Sequence, residues 1–392
     1  MTHAVSRRLI SSIAVLATGI ALVGCSSSRP PSFPAEASLE QKIEITREHL
    51  ALPGAVVAVY RDGEPLIDRA FGIASLETGE PMTTDHHFRI ASLTKPVIAT
   101  VILQLVDEGH VSLDDPIGQY IDGVPGGDVI TLRQLAQHTS GLRNYIAISD
   151  VKDAFANEPT RTWTEEELLD LAFEEGPYFK PGRDGWMYSN TNYILLGQMI
   201  ERVESKPLAA VIEDRIARPL GLTGTFYSTD AAIPAPATTG YQYGDETGPK
   251  FWVGKGTIPY DVTDASPSMW HAAGAMVSTL DDVRTLLDAI VTGALISESS
   301  HREQMIWRDS GYPVDYSYGL GVINYMGAIG HNGHVPGYQV SAFHVPEEML
   351  TVVVLANLYS SPNYEEPANA IMFVILRDLL DRSYAPPGWG GW

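Results

Sequence analysis

The 392-residue sequence predicts an α+β fold: an antiparallel sheet built from N- and C-terminal segments, covered by helices, with a mainly helical lobe inserted between them. Three observations predict it. Strand-like runs appear early, at AVVAVY and PLIDRAFGIA, and return only late, at YGLGVINYM, YQVSAFHV and MLTVVVLAN. The stretch between is dominated by helical patterns. The early runs flank Asp62-Gly63, a strong short hairpin signal. Hairpins from the two ends most simply join one sheet, which puts the sheet lobe at about 38–85 and 295–382 and the helical lobe at about 86–294.

The elements follow in chain order. Residues 1–24 carry Arg7 and Arg8, then an apolar run too short to span a membrane, as in a signal peptide. The run ends in Leu22-Val23-Gly24-Cys25, which resembles a bacterial lipobox, with Cys25 as the lipidated residue. Cys25 is the only cysteine, so no intramolecular disulfide is possible. Residues 25–37 are Ser/Pro-rich and read as a tether. The expected setting is the bacterial cell envelope, with the chain exported and anchored to a membrane through Cys25.

SLEQKIEITREHL (38–50) predicts a first helix. Thr164 with Glu167 offers a capping box before LLDLAF. Asn190 is a candidate N-cap for NTNYILLGQMIERV. STLDDVRTLLDAIVTG predicts a helix from Ser278 to Gly293. Pro346-Glu347-Glu348 is a hairpin-length turn between the last two strands, and PANAIMFVILRDLLDR closes the domain as a helix. Residues 383–392 form an irregular tail.

Net charge is −22, and the basic residues form no block or stripe, so nucleic acid is excluded as a partner. No G-x-S-x-G elbow occurs.

The chemistry concentrates in three places. In ASLTKPV, Ser92 precedes a run from Leu93 to Val106 that is apolar on nearly every face, which predicts a buried helix starting at or just after Ser92. Pro96 fits a first turn, and Gly109 a stop. Ser92 then sits where helix amides favour negative charge, and Lys95 lies one turn along on the same face. A buried lysine has a lowered pKa and can relay a proton, and a serine beside it can be an acyl-transfer nucleophile. A capping serine with a lysine reaching solvent uses the same residues. The spacing recurs at Ser149 and Lys152, before the polar stretch KDAFANEP.

Tyr188-Ser-Asn190 is the one Y-x-N in the chain. Beside an ammonium, a phenol shifts toward phenolate and can take a serine proton. Asn190 can hold a substrate carbonyl or amide and contact the lysine. As a packed tyrosine and a helix cap, the pair needs no chemistry at all.

His331-Asn332-Gly333-His334 leads into a late strand. Gly333 removes a side chain where a ligand approaches the backbone. Two histidines three apart also suggest zinc, but no cysteine and no nearby acid completes a ligand set, so neither a metal nor another cofactor is expected.

The order S-x-x-K, Y-x-N, H-x-G resembles the serine β-lactamase and penicillin-binding superfamily, in particular the branch of class C β-lactamases, D,D-carboxypeptidases and related esterases. FRIASLTK, LRQLAQHTSGL, YSNTNYILLGQMIE, YGLGV and GHNGHVPGY agree with it, over roughly residues 40–380. The resemblance implies a β-lactamase/transpeptidase-like fold and a serine hydrolase acting through an acyl-enzyme on Ser92. Lys95 would tune Ser92 and Tyr188, with Tyr188 as general base for acylation and acid for the leaving group. Asn190 would orient the substrate, and His331, where many relatives carry lysine, would hydrogen-bond Tyr188. The backbone amides of Ser92 and His334 would form the oxyanion hole beside Gly333 and Asn332. The substrate would be a small molecule or peptide with an ester, amide or β-lactam carbonyl. An inactive envelope-binding lipoprotein of the same fold is the alternative.

Two departures bear on substrate. Asn332 stands where many relatives have Thr or Ser, and no arginine follows YGLG. No lysine or arginine occurs between Arg308 and Arg377. A cation would have to come from the helical segment, where Arg143, Lys152, Arg161, Lys250 and Lys255 are among those available. Without an arginine fork a terminal carboxylate is weakly recognised, which favours an ester or neutral acyl donor.

Overall fold

The computed structural model describes residues 31–380 apart from 182, 252–255, 313–314 and 363–364. The export signal, Cys25, the start of the tether, Lys255 and the tail at 383–392 lie outside the described residues.

Helix α1 (Leu39–His49) starts on a capping box: the Ser38 side chain accepts from the Gln41 amide, and the Gln41 side chain accepts from the Ser38 amide. Strands β1 (Gly54–Arg61) and β2 (Glu64–Gly72) pair through a turn in which Asp62 and Gly63 both have positive φ, which suits the twist of a hairpin. Helix α2 (Thr94–Asp107) follows the Ser92 segment, α3 (Asn190–Glu204) follows Tyr188, and α4 (Leu280–Thr292) ends on Gly293. The remaining strands of the main sheet are β3 (Arg308–Asp309), β4 (Tyr316–Tyr318), β5 (Ile323–Tyr325), β6 (Ala328–Val335), β7 (Tyr338–Val345) and β8 (Leu350–Ala356). Helix α5 (Pro367–Leu380) closes the described chain.

The eight strands run in the order β2-β1-β8-β7-β6-β5-β4-β3, every neighbouring pair antiparallel. The two ends of the chain meet where β1 pairs with β8, Ala55 opposite Ala356 through Arg61 opposite Leu350. Alternation along each strand divides its apolar side chains between two cores. Ala55, Val57, Val59, Val352 and Val354 face α1 and α5, while Val56, Ala58, Val340, Ala342 and Val353 face the opposite way. Each fully buried aliphatic side chain contributes about 1.5–3 kcal/mol.

Several elements differ from the sequence reading. Helix α4 falls within the predicted helical segment, yet it packs on the sheet, so the sheet is covered on both faces. Its N-cap is Thr279, because Ser278 belongs to a short strand, Met276–Ser278. That strand pairs with Phe88–Arg89 and Phe226–Tyr227, and a second three-stranded sheet uses Tyr241–Asp245, Gly248–Pro249 and Ile258–Asp261. Strands of two to five residues are too short to show a period of two. The Thr164 side chain caps its helix by accepting from the Glu167 amide.

The run YGLGVINYM is not one strand. It breaks into β4 and β5 around Gly321, whose φ is +74. A Cβ on Gly321 would stand 2.8 Å from the Lys95 carbonyl oxygen and 2.6 Å from the Ala99 Cβ. The turn thus lies directly on α2, which only glycine allows at that φ.

Candidate active site

Ser92 lies in a 3₁₀ turn, Ala91–Leu93, that runs into α2. Ala91 has φ +48, a costly conformation for a residue with a Cβ. The turn is held from below: Thr94 Oγ1 donates to the Ala91 carbonyl at 2.7 Å and accepts from the Met276 amide at 3.3 Å. The short strand Met276–Ser278 therefore supports the nucleophile's turn from within the middle of the chain.

Lys95 is fully buried in the first turn of α2. Its Nζ donates to Ser92 Oγ at 3.0 Å and to the Ala273 carbonyl at 2.7 Å. Tyr188 OH donates to the same Ser92 Oγ at 3.1 Å. The lysine and the tyrosine thus converge on one hydroxyl. They do not meet head to head, because Nζ sits 4.9 Å from the centre of the Tyr188 ring and 5.3 Å from that of Tyr193.

This geometry overturns the expectation of a phenolate-like Tyr188. Burial pushes the Tyr188 phenol above its ordinary value, and the hydrogen bond with Ser92 only partly opposes it. Burial also carries Lys95 well below its ordinary value. Both shifts favour the neutral form, because a low-dielectric site penalises either charge.

Asn190 is the first residue of α3, not its cap. The orphan amides of that helix start are satisfied by side chains from the loop 135–145. Ser189 N–H donates to His138 Nδ1 at 3.2 Å, and Asn190 N–H donates to Asn144 Oδ1 at 3.2 Å. The expected Lys95–Asn190 contact is not made, since Lys95 spends its donors on Ser92 and Ala273. Asn190 Oδ1 is buried with no hydrogen-bond partner among the described residues.

His331 does not bond Tyr188. Its Nε2 lies 3.0 Å from Tyr318 OH, and its Nδ1 lies on the Asn332 carbonyl. A carbonyl only accepts, so the proton sits on Nδ1 and Tyr318 donates to Nε2. Tyr318 stands edge-on to Tyr188, ring centres 6.3 Å apart, and separates the histidine from it. His331 is held at about 3, first by burial and then by Lys95.

The rest of the motif is laid out by β6. Opposite β7, His331 pairs with Ala342 and Gly333 with Val340, on the sheet face that carries Ser92. Asn332 pairs with Ser341 and His334 with Gln339, on the face toward α5. His331 and His334 therefore point to opposite faces and do not form a shared metal site. The half-buried His334 ring packs on Tyr359 at 5.4 Å, and burial then Lys95 lower it to about 4. Strand β5 pairs with β6 only as far as Gly330, so among the described residues that edge of β6 is unpaired from His331 onward. Two-residue turns flank β6, joining Tyr325 to Ala328 and Val335 to Tyr338, and such turns close on hydrogen-bonded pairs. The even-numbered residues of β6 then turn their main-chain groups away from β7. The His334 amide faces the open edge beside Ser92.

The second S-x-x-K does begin a helix, Ser149–Asn157, with Val151 and Phe155 buried. Ser149 is exposed at its start. Of the helical-segment cations, Arg161 pairs with Glu167, Lys250 with Asp245 at 3.2 Å, and Arg143 lies over Tyr178 at 4.2 Å. Sequence reasoning missed His138, Asn144, Ala273 and Tyr318. The signals available were the histidine of LRQLAQHTSGL, the asparagine of its continuation RNY, and Tyr318 as the first residue of YGLGV.

A serine hydroxyl held between a buried lysine one turn on and a tyrosine, at the edge of an antiparallel sheet covered by helices, defines the serine-active penicillin-recognising class of fold. The chain belongs to the Beta-lactamase family, whose profile matches residues 39–376. It is similar to a D-aminopeptidase of Cereibacter sphaeroides, 28% identical over 86% of this chain and 63% of the relative, so it spans under two thirds of that protein. It is 35% identical to the esterase EstB of Burkholderia gladioli over 44% of this chain and 46% of the other. A D-stereospecific amidohydrolase from a Streptomyces species superposes with a TM-score of 0.75 at 29% identity, covering 89% of this chain and all of the other.

Proposed function

We propose that the protein is a serine hydrolase that cleaves a neutral ester or amide through an acyl-enzyme on Ser92. The observation that carries this is the convergence of Lys95 Nζ and Tyr188 OH on Ser92 Oγ, at 3.0 and 3.1 Å, in a site where burial favours the neutral form of both. The neutral Lys95 amine takes the Ser92 proton as Oγ attacks the carbonyl carbon. The Ser92 and His334 amides receive the developing oxyanion. The Tyr188 phenol gives its proton to the leaving group. In deacylation the Tyr188 phenolate takes a proton from the attacking water, and the Lys95 ammonium returns its proton to Ser92 Oγ as the acyl group leaves, which restores both groups. Asn190 Oδ1 takes a donor on the substrate.

The substrate preference rests on charge. Strand β6 brings no cation to the cleft wall, and Arg89, three residues before Ser92, is buried on the Ala231 carbonyl. Neither β6 nor the segment before Ser92 therefore offers a guanidinium to a peptide C-terminus or a β-lactam carboxylate. The esterase and the D-stereospecific amidohydrolase among the relatives support an ester or amide substrate. Residues 1–25 support export and lipid anchoring at Cys25 in a bacterial envelope.

Turnover of a p-nitrophenyl ester, an amino-acid amide, nitrocefin and a D-Ala-D-Ala peptide tests the reading. The ester and the amide are expected to be turned over well ahead of the other two. Efficient nitrocefin or peptide hydrolysis with poor ester turnover overturns it.

A further inference from the structure

His138 is fully buried and touches neither Ser92 nor solvent, yet it holds the segment around Tyr188 at three points. Its carbonyl accepts from the Met187 amide at 3.0 Å. Its Nδ1 accepts from the Ser189 amide at 3.2 Å, with Asn192 Nδ2 at 3.3 Å. Its ring packs on the Tyr188 ring with centres 4.2 Å apart. One residue thus clamps the backbone on both sides of Tyr188 and the face of its phenol.

The clamp is built at a cost. His138 has φ +59, a conformation that a non-glycine residue adopts only when its surroundings impose it. The amides donate, so Nδ1 must be the acceptor and the ring proton must sit on Nε2. That Nε2 is buried without a partner among the described residues, a cost a purely space-filling residue would avoid. Tyr193, Tyr318 and Trp186 surround the ring at 5.4, 4.7 and 6.1 Å.

Resting on the proposed roles of Ser92 and Tyr188, we infer that His138 is a positioning residue for leaving-group protonation: it fixes the Tyr188 hydroxyl against Ser92 Oγ. Tyr188 reaches Ser92 by a single hydrogen bond of 3.1 Å. Loss of the wedge behind the ring lets the phenol retreat, and a shift of about 1 Å at a reacting group can cost a hundredfold in rate.

The test separates positioning from mere support by the leaving group. A p-nitrophenolate departs without an acid, whereas an alkoxide needs one. His138→Asn keeps an acceptor for the Ser189 amide and a side chain that tolerates positive φ, but removes the ring. In the full-length protein, kcat/KM is measured for a p-nitrophenyl ester and for the ethyl ester of the same acyl group. The expected result is a loss on the ethyl ester at least about tenfold greater than on the p-nitrophenyl ester. Tyr188→Phe should show the same selectivity, and the double variant little further loss. Equal losses on both esters, or none, overturn the inference. If only Tyr188→Phe is selective, the inference fails while the site reading stands, and turnover by Ser92→Ala sinks the site reading itself. Should His138→Asn fail to fold, His138→Gln is judged by the same ratio.

Discussion

Gly333 lies against the backbone of Ser92 so closely that a Cβ built on it would stand 2.5 Å from the Ser92 amide nitrogen and 2.9 Å from the Ala91 Cβ. Strand β6 and the nucleophile's turn are thus in main-chain contact, and the spacing of the two amides offered to an oxyanion depends on it. Gly333→Ala should push them apart. The expected outcome is a fall in ester kcat/KM of about 100-fold or more, with a stability cost of about 1–3 kcal/mol from overpacking. Steady-state kinetics and urea denaturation measure the two, and wild-type turnover in the variant refutes the contact's role.

The Ser92 assignment is open to direct labelling. Ser92→Ala should abolish reaction with a fluorophosphonate probe while the thermal transition is retained. Lys95→Met should slow labelling by about 100-fold or more, because the serine proton loses its acceptor. Continued labelling of Ser92→Ala moves the nucleophile elsewhere, with exposed Ser149 next.

Activity should rise with pH along a limb set by Lys95. Burial lowers its pKa, and only the neutral amine accepts the Ser92 proton. Activity is therefore full above the lowered pKa and lost as pH falls through it. The acid limb of kcat/KM reports the free enzyme. A midpoint near the ordinary lysine value of about 10.4 counts against a neutral Lys95.

His331 predicts acid sensitivity of the fold itself. It is neutral in the native state down to about 3, while the unfolded chain protonates near its ordinary 6.5. Between those values the unfolded state binds the extra proton, so stability falls as pH falls, by about 1.4 kcal/mol per pH unit from this group. His331→Asn should remove that share of the slope in urea denaturation at successive pH values. An unchanged slope rejects it.

Tyr318 offers a contrast between stability and catalysis. Tyr318→Phe leaves the buried His331 Nε2 without its donor and should cost about 1–3 kcal/mol. His331 makes no bond to Tyr188, so ester kcat/KM should change by less than about threefold. A large kinetic loss without destabilisation would restore a direct catalytic role for His331.

Much of the site was legible in the sequence because its chemistry is local. Ser92 and Lys95 share a helix face by spacing alone, the apolar run behind them announces a buried helix, and Gly333 marks a close approach. Asp62-Gly63, the first helix and the late strands likewise act over a few residues. Two parts were not legible. The direction of the pKa shifts depends on how completely the site is dry, and that sends Tyr188 up where a neighbouring ammonium would have sent it down. The partner of His331 depends on β4 folding back on β5, one strand beyond β6, which puts Tyr318 where Tyr188 was expected.

Sequence by itself determined the residue types, the helix that presents Ser92 and Lys95 together, and the sheet assembled from both chain ends, because periodicity and caps are encoded within a few turns of the chain. Only the tertiary structure decided which groups meet at the site: Tyr188, the Ala273 carbonyl, His138 and the Gly333 backbone reach Ser92 or its neighbours from far along the chain. Contacts of that kind are set by how buried faces pack, and no local pattern records them.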